Sequence, residues 1–297
     1  MKARTALRLL KDTGEAWIDD RAPSMGAALA FYSAFSLAPL LVIVIAITGL
    51  ALGSEAAHNA VLDLLRNLVG GPAAEGIKNL LQASQTNASG GLAAVMGVVM
   101  LLIGATTVVV ELEDDLDRIW KAPSRPSGVF SIVRSRLVSL GMILGIGFLL
   151  LLSLTVSSLL AAIAKQWPSS AAIAAEVLHF VVSLVVISAL FAMLYKWLPN
   201  VRIAWADVLI GAVTTALLFD VGHYAIGFYL GRTAVASAYG AAGTLVALLL
   251  WLYYTAQIFL LGAEFTSVYA RHRASQLEDH RGRANSPQKA TYGSVRQ

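Results

Sequence analysis

Asp220 and His223 stand three residues apart in the run Ala216-Leu217-Leu218-Phe219-Asp220-Val221-Gly222-His223-Tyr224. That spacing puts both on one face of a helix. The run is apolar enough to lie at membrane depth, where an ionisable group costs at least about 2.5–3.5 kcal/mol and so faces the bundle interior or a wet cavity. One reading is a polar site for substrate or protons, with His223 titrating near neutral pH. The other is a structural pair, in which Asp220 accepts a hydrogen bond from His223 or a neighbouring span. Glu264, in Leu261-Gly262-Ala263-Glu264-Phe265, is a carboxylate near a helix C-terminus, where it opposes the dipole and calls for a cationic or hydrogen-bonding partner unless it is solvated. Gly262-Ala263 before it allows close approach of another helix. Pro39 cannot donate to the carbonyl of Phe35, and Ser33 and Ser36 are placed to help that carbonyl. The small residues that precede it, Gly26, Ala27, Ala28 and Ala30, fit a broken helix lining a path or a tight interface with a tolerated proline. The candidate intramembrane polar site is therefore Asp220, His223, Glu264, Ser33 and Ser36, with a helix break at Pro39.

Other clusters point to less chemistry. Glu111, Glu113, Asp114, Asp115 and Asp117, followed by Arg118-Ile119-Trp120-Lys121, contain the hard oxygen ligands that divalent cations prefer. No histidine lies nearby and no EF-hand spacing appears, so a solvated helix extension with Trp120 at the membrane interface accounts for them. The chain has no cysteine, which excludes disulfides, thiolate metal sites and cysteine nucleophiles. His58, His179, His223, His272 and His280 are scattered. There is no Walker motif, GxSxG elbow or HExxH. No catalytic residue, metal or cofactor is expected.

The elements that must position these residues are membrane helices. Of 297 residues, 57% are hydrophobic and 13% charged, against about 25% charged in soluble domains; the mean hydropathy is +0.70. Runs of about 20 apolar residues, enough to cross about 30 Å of hydrocarbon, predict six spans: 27–52, 91–110, 137–161, 177–198, 208–230 and 243–265. Pro199-Asn200 marks a tight turn between spans four and five. Gly49-x-x-x-Gly53, Gly141-x-x-x-Gly145 and Gly227-x-x-x-Gly231 fit close helix packing. The loop 53–90 repeats apolar residues at helical spacing (Val61, Leu64, Leu65, Leu68; Ile77, Leu80, Leu81), split by Gly70-Gly71-Pro72, and reads as two short amphipathic helices lying on the outer surface or capping the bundle.

Of the 22 lysines and arginines, only Arg66, Lys78, Lys165 and Arg232 fall on one side of this topology. The positive-inside rule then puts both chain ends in the cytoplasm and accounts for the pI near 9.4 without nucleic acid. The expected organisation is a cytoplasmic N-terminal segment 1–24 with no cleaved signal peptide, a transmembrane domain 25–270, and a disordered cytoplasmic tail 271–297. The fold class is all-α, polytopic, with a helical extracytoplasmic loop between spans one and two.

Three stretches carry a resemblance to the YihY/BrkB family of bacterial inner-membrane proteins: Ala28-Leu29-Ala30-Phe31-Tyr32-Ser33-Ala34-Phe35-Ser36-Leu37-Ala38-Pro39-Leu40; Leu116-Asp117-Arg118-Ile119-Trp120; and Leu198-Pro199-Asn200 with Trp205, Gly211-Ala212, Tyr229-Leu230, Tyr239-Gly240, Leu250-Trp251-Leu252-Tyr253 and Gly262-Ala263-Glu264. It covers roughly residues 15–270 and implies six spans in the bacterial inner membrane. That family often carries an acidic and a basic residue three apart where Asp220 and His223 stand, and it has borne both a ribonuclease BN label and a virulence label. Phosphodiester hydrolysis at neutral pH usually wants two metals held by carboxylates and histidines, which the Glu111–Asp117 patch does not supply. A secondary transporter or flippase-like protein fits the intramembrane polar groups, with a non-transporting envelope scaffold as the alternative and a tRNA-processing ribonuclease as the less favoured one. Its partners are membrane lipids and a small-molecule, ion or lipid substrate, with no nucleic acid expected.

Overall fold

The computed structural model describes residues 3–52, 107–123, 172–232 and 241–284, with positions 75, 78, 104, 141 and 145 besides. The described elements are α1 (Ala3–Asp19), α2 (Ala22–Leu52), α3 (residues 107–119), α4 (Ala172–Trp197), α5 (Trp205–Arg232) and α6 (Ala241–Ala284). Among the described residues there is no strand. Phe180–Trp197, Trp205–Ile226 and Leu245–Gln276 are long and apolar enough to cross a membrane, and they coincide with expected spans four to six. The two helices expected in the loop 53–90, nearly all of spans two and three, and residues 285–297 lie outside the described residues.

Two helix ends share one local signature. Arg21 and Lys121 have φ of 58° and 50°, the left-handed conformation that helices use to stop. Each is a basic residue followed by Ala-Pro. At the end of α3, Ala122 N–H donates to the Asp117 carbonyl (2.8 Å) and Lys121 N–H to that of Arg118 (3.1 Å), the paired bonds of a Schellman cap. Pro23 falls in the first turn of α2, where its missing N–H costs nothing. α2 runs unbroken from Ala22 to Leu52, so Pro39 does not end it.

α4, α5 and α6 form the described core, with α2 and α1 packed against α6. α5 and α6 cross closely at Gly211 and Gly262, where an added Cβ would lie 1.8 Å from Thr266 Oγ1 and 2.0 Å from Thr215 Oγ1. Buried Tyr195 of α4 closes the crossing: its hydroxyl donates to the Phe259 carbonyl (2.8 Å) and lies 3.1 Å from Thr215 Oγ1. Gly26 of α2 faces Gln257 of α6, whose amide Nε2 donates to the Ala22 carbonyl (3.2 Å). The α4–α5 turn is held by Asn200, whose backbone N–H and side-chain Nδ2 donate to the two oxygens of Asp117 on α3, each at 2.7 Å.

α6 does not stop at Phe265. It continues to Ala284 through residues expected to be a structureless tail. α1 packs along this extension, and Arg273 pairs with Asp207 in the first turn of α5 at 2.8 Å. The N-terminal helix and the far end of the last helix therefore lie at one end of the bundle.

Candidate functional site

Glu264 is fully buried, and neither carboxyl oxygen meets a hydrogen-bond donor among the described residues. The acidic group facing it is Asp20, in the turn between α1 and α2. Two ionised carboxylates only accept, so a hydrogen bond between them requires a proton on one. Lys121 and Arg271 supply the positive field around Glu264. The expected cationic partner is thus near without being bonded.

Asp20, Lys121 and Arg271 also line a solvent-open cavity of about 450 Å³, together with Asp12, Glu15, Asp19 and His272. Four carboxylates against two fixed cations leave this cavity acidic. It lies between α1, the cap of α3 and the extension of α6, and the left-handed residue Lys121 lines it. Sequence reasoning missed these groups because residues 1–24 read as a featureless charged segment. The signal was present: Leu9, Thr13, Ala16 and Asp20 recur at helical spacing, and this is the face α1 turns inward, with Leu9 and Thr13 buried.

Asp220 and His223 lie elsewhere. Both are half-buried on α5 and close enough to interact electrostatically. Asp220 Oδ2 is buried with no hydrogen-bond partner among the described residues. His223 lines a crevice with Phe219, Ile226, Trp251, Tyr254, Thr255 and Ile258 that has no room for a water molecule. Gly222 packs on Ile258 and Tyr254 of α6. Glu264 is six residues further along α6 than Ile258, or about 9 Å at 1.5 Å per residue. The structure therefore does not gather Asp220, His223 and Glu264 into one site. Ser36 Oγ donates to the Ser33 carbonyl at 3.0 Å and Ser36 packs on Gly104; neither serine bonds to the three ionisable residues.

The acidic patch on α3 is not the solvated face expected of it. Glu113 and Asp115 are buried, while Asp114 is exposed. Leu112, Leu116 and Ile119 pack into the core, which draws the adjoining carboxylates in with them. Glu113 and Asp117 receive the Asn200 amide at 3.3 and 2.7 Å. Burial pushes the Asp115 carboxyl up to about 7; Glu111 and Asp114 add to this and Arg118 opposes it. Among the described residues, no group of three His, Asp or Glu side chains is arranged to hold a metal ion.

The family described as "Virulence factor BrkB" matches residues 14–287. A UPF0761 membrane protein of Ralstonia nicotianae is 30% identical over 82% of this chain and 55% of its own length. Another, from Paraburkholderia xenovorans, is 28% identical over 92% of this chain and 62% of its own. A third, from Tolumonas auensis, is 29% identical over 84% of this chain and 80% of its own. The chain thus spans 55% and 62% of the length of the first two relatives, less than two thirds of each. No solved structure matches. Apolar helices of membrane-spanning length, relatives named as membrane proteins and a match over most of the sequence agree: the chain belongs to the BrkB family of membrane proteins.

Proposed function

We propose that this chain is a proton-coupled secondary transporter of the bacterial inner membrane, with six spans and both ends in the cytoplasm. The observation that carries the reading is Glu264: fully buried, without a donor among the described residues, and set against Asp20 in the wall of an open acidic cavity. An unpaired carboxylate is costly in such a place, and a protonated one is not. A carboxyl pair that must hold a proton when closed, and can release it when water enters, is a coupling site. The acidic balance of the cavity suits a cationic cargo, such as a small amine or the amine of a lipid headgroup. Asp220 and His223 are a second polar station deeper in the membrane, reached only when the crevice between α5 and α6 opens.

The test is proton movement in proteoliposomes containing pyranine, driven by a gradient of tetraethylammonium or of short-chain phosphatidylethanolamine. Wild-type protein should acidify or alkalinise the lumen with the gradient, and folded Glu264→Gln should not. Proton movement that is the same in both proteins removes Glu264 as the coupling group. No movement with either probe from folded protein turns the weight to the scaffold reading.

A further inference from the structure

α1 has two apolar faces, and only one is used inside the protein. Leu9 and Thr13 point inward and are buried. Leu7, Leu10 and Ile18 are exposed at 68%, 65% and 67%. At 100° per residue, 3.6 to the turn, Leu7, Leu10 and Ile18 share one stripe, with Gly14 between them. Lys11, ion-paired with Glu15 at 3.5 Å, adjoins this stripe, and Arg8 is exposed further round, on the side where Asp12, Glu15 and Asp19 line the acidic cavity. Three large exposed side chains on a 17-residue helix are out of place in water.

The position of α1 names what covers them. Only Asp20 and Arg21 separate α1 from α2, the helix that holds the first expected span. Its inner face packs on α6, and the cavity between them is lined by Val268, Arg271, His272 and Ser275, the polar end of the Leu245–Gln276 span. α1 is therefore held at the level where helices leave the hydrocarbon. A helix with leucines on one stripe and cations on its flank lies along a lipid interface, apolar side down, its Lys and Arg stems reaching up to headgroups. Lys11 is the charge nearest the stripe, and with Arg8 it offers anionic headgroups two cations.

We propose that the Leu7–Leu10–Ile18 stripe of α1 is seated in the membrane interface at its end of the bundle, held there by anionic lipid through Arg8 and Lys11. The same helix then presents Asp12, Glu15 and Asp19 to the cavity, so that lipid seating fixes one cavity wall. This inference stands whether or not the protein transports anything.

The chain has no cysteine, so Leu10→Cys and Asp12→Cys each give a unique spin-label site in the full-length protein. Both sites are exposed, and circular dichroism of each labelled protein reports that it is folded. In vesicles containing phosphatidylglycerol, the ratio of relaxation by oxygen to relaxation by a water-soluble nickel chelate should be several-fold higher at Leu10 than at Asp12. The difference should shrink in pure phosphatidylcholine, and in Arg8→Gln/Lys11→Gln in either lipid. A Leu10 label as open to nickel as that at Asp12 overturns the proposal. So does a label shielded from both reagents, which would place another protein copy on the stripe, and so does a depth indifferent to phosphatidylglycerol.

Discussion

Thr215 and Thr266 occupy matching places on either side of the α5–α6 crossing. Each donates its hydroxyl to the carbonyl of the glycine one turn earlier in its own helix, Gly211 at 2.8 Å and Gly262 at 2.6 Å. Each then rests against the glycine of the opposite helix. The motif is Gly-x-x-x-Thr on both helices, run antiparallel. In lipid, where burying apolar surface gains little, such close approach is what holds spans together.

Gly211→Ala should therefore destabilise the protein by about 1–3 kcal/mol, the usual cost of overpacking. All three atoms nearest the new Cβ belong to Thr266, so Gly211→Ala/Thr266→Ala should recover part of the loss. Thermal unfolding in detergent, followed by size-exclusion chromatography, reads both. A Gly211→Ala protein as stable as wild type would mean that the helices cross further apart.

Asn200 ties the α4–α5 turn to α3 through Asp117 and Glu113. Asn200→Ala keeps its backbone N–H but loses both amide bonds to carboxylates. The expected cost is about 1.5–3 kcal/mol for hydrogen bonds to charged groups, less for their partial exposure. Protease sensitivity at the Pro199–Ile203 turn should rise with it, and Asp117→Asn should produce the same change.

Asp115 predicts a pH dependence of stability. Its carboxyl is pushed from 3.8 to about 7 in the folded protein. Between those values the folded state binds more protons than the unfolded one, so stability should fall as pH rises from about 4 to about 7 and level off above. The upper bound is about 4 kcal/mol, at about 1.36 kcal/mol for each tenfold change in proton affinity. Asp115→Asn should flatten this part of the curve and raise stability at pH 8. A wild-type curve that rises over the same window would show Asp115 ionised and paired.

Much of this architecture was legible in the sequence, because length and hydropathy decide where a helix can cross lipid. α4, α5 and the apolar part of α6 lie where runs of apolar residues predict them. The polar groups were legible singly and not in combination. Glu264 is conspicuous from its surroundings, but its neighbours Asp20, Lys121 and Arg271 are 244, 143 and 7 positions away along the chain, and no local pattern joins them. The α5–α6 crossing was half legible: Gly262-Ala263 reads as a place of close approach, but Gly211 does not stand out. Three GxxxG matches drew the eye, while the glycines that touch pair with threonine, a small residue that serves equally well. The repeated basic-Ala-Pro caps at Arg21 and Lys121 could have been read, since proline soon after a basic residue in a helical run signals a stop.

Glu264→Gln separates coupling from structure. It replaces a buried unpaired carboxylate with an amide of the same shape, so the protein should be at least as stable as wild type near neutral pH. Any transport it retains should lose its dependence on the proton gradient. A large loss of stability instead would assign Glu264 to holding α1, α3 and α6 together.

α6 is 44 residues long, about 66 Å at 1.5 Å per residue, roughly twice the hydrocarbon thickness of a bilayer. Trp251 and Tyr254, which line the crevice with His223, and Arg271 and His272, which line the acidic cavity, therefore belong to one stiff rod. A rod pivoting at its tightest contact, the Gly211–Gly262 crossing, moves its two arms in opposite directions. The crevice and the cavity lie on different arms, and the fulcrum between them is made of glycine and threonine.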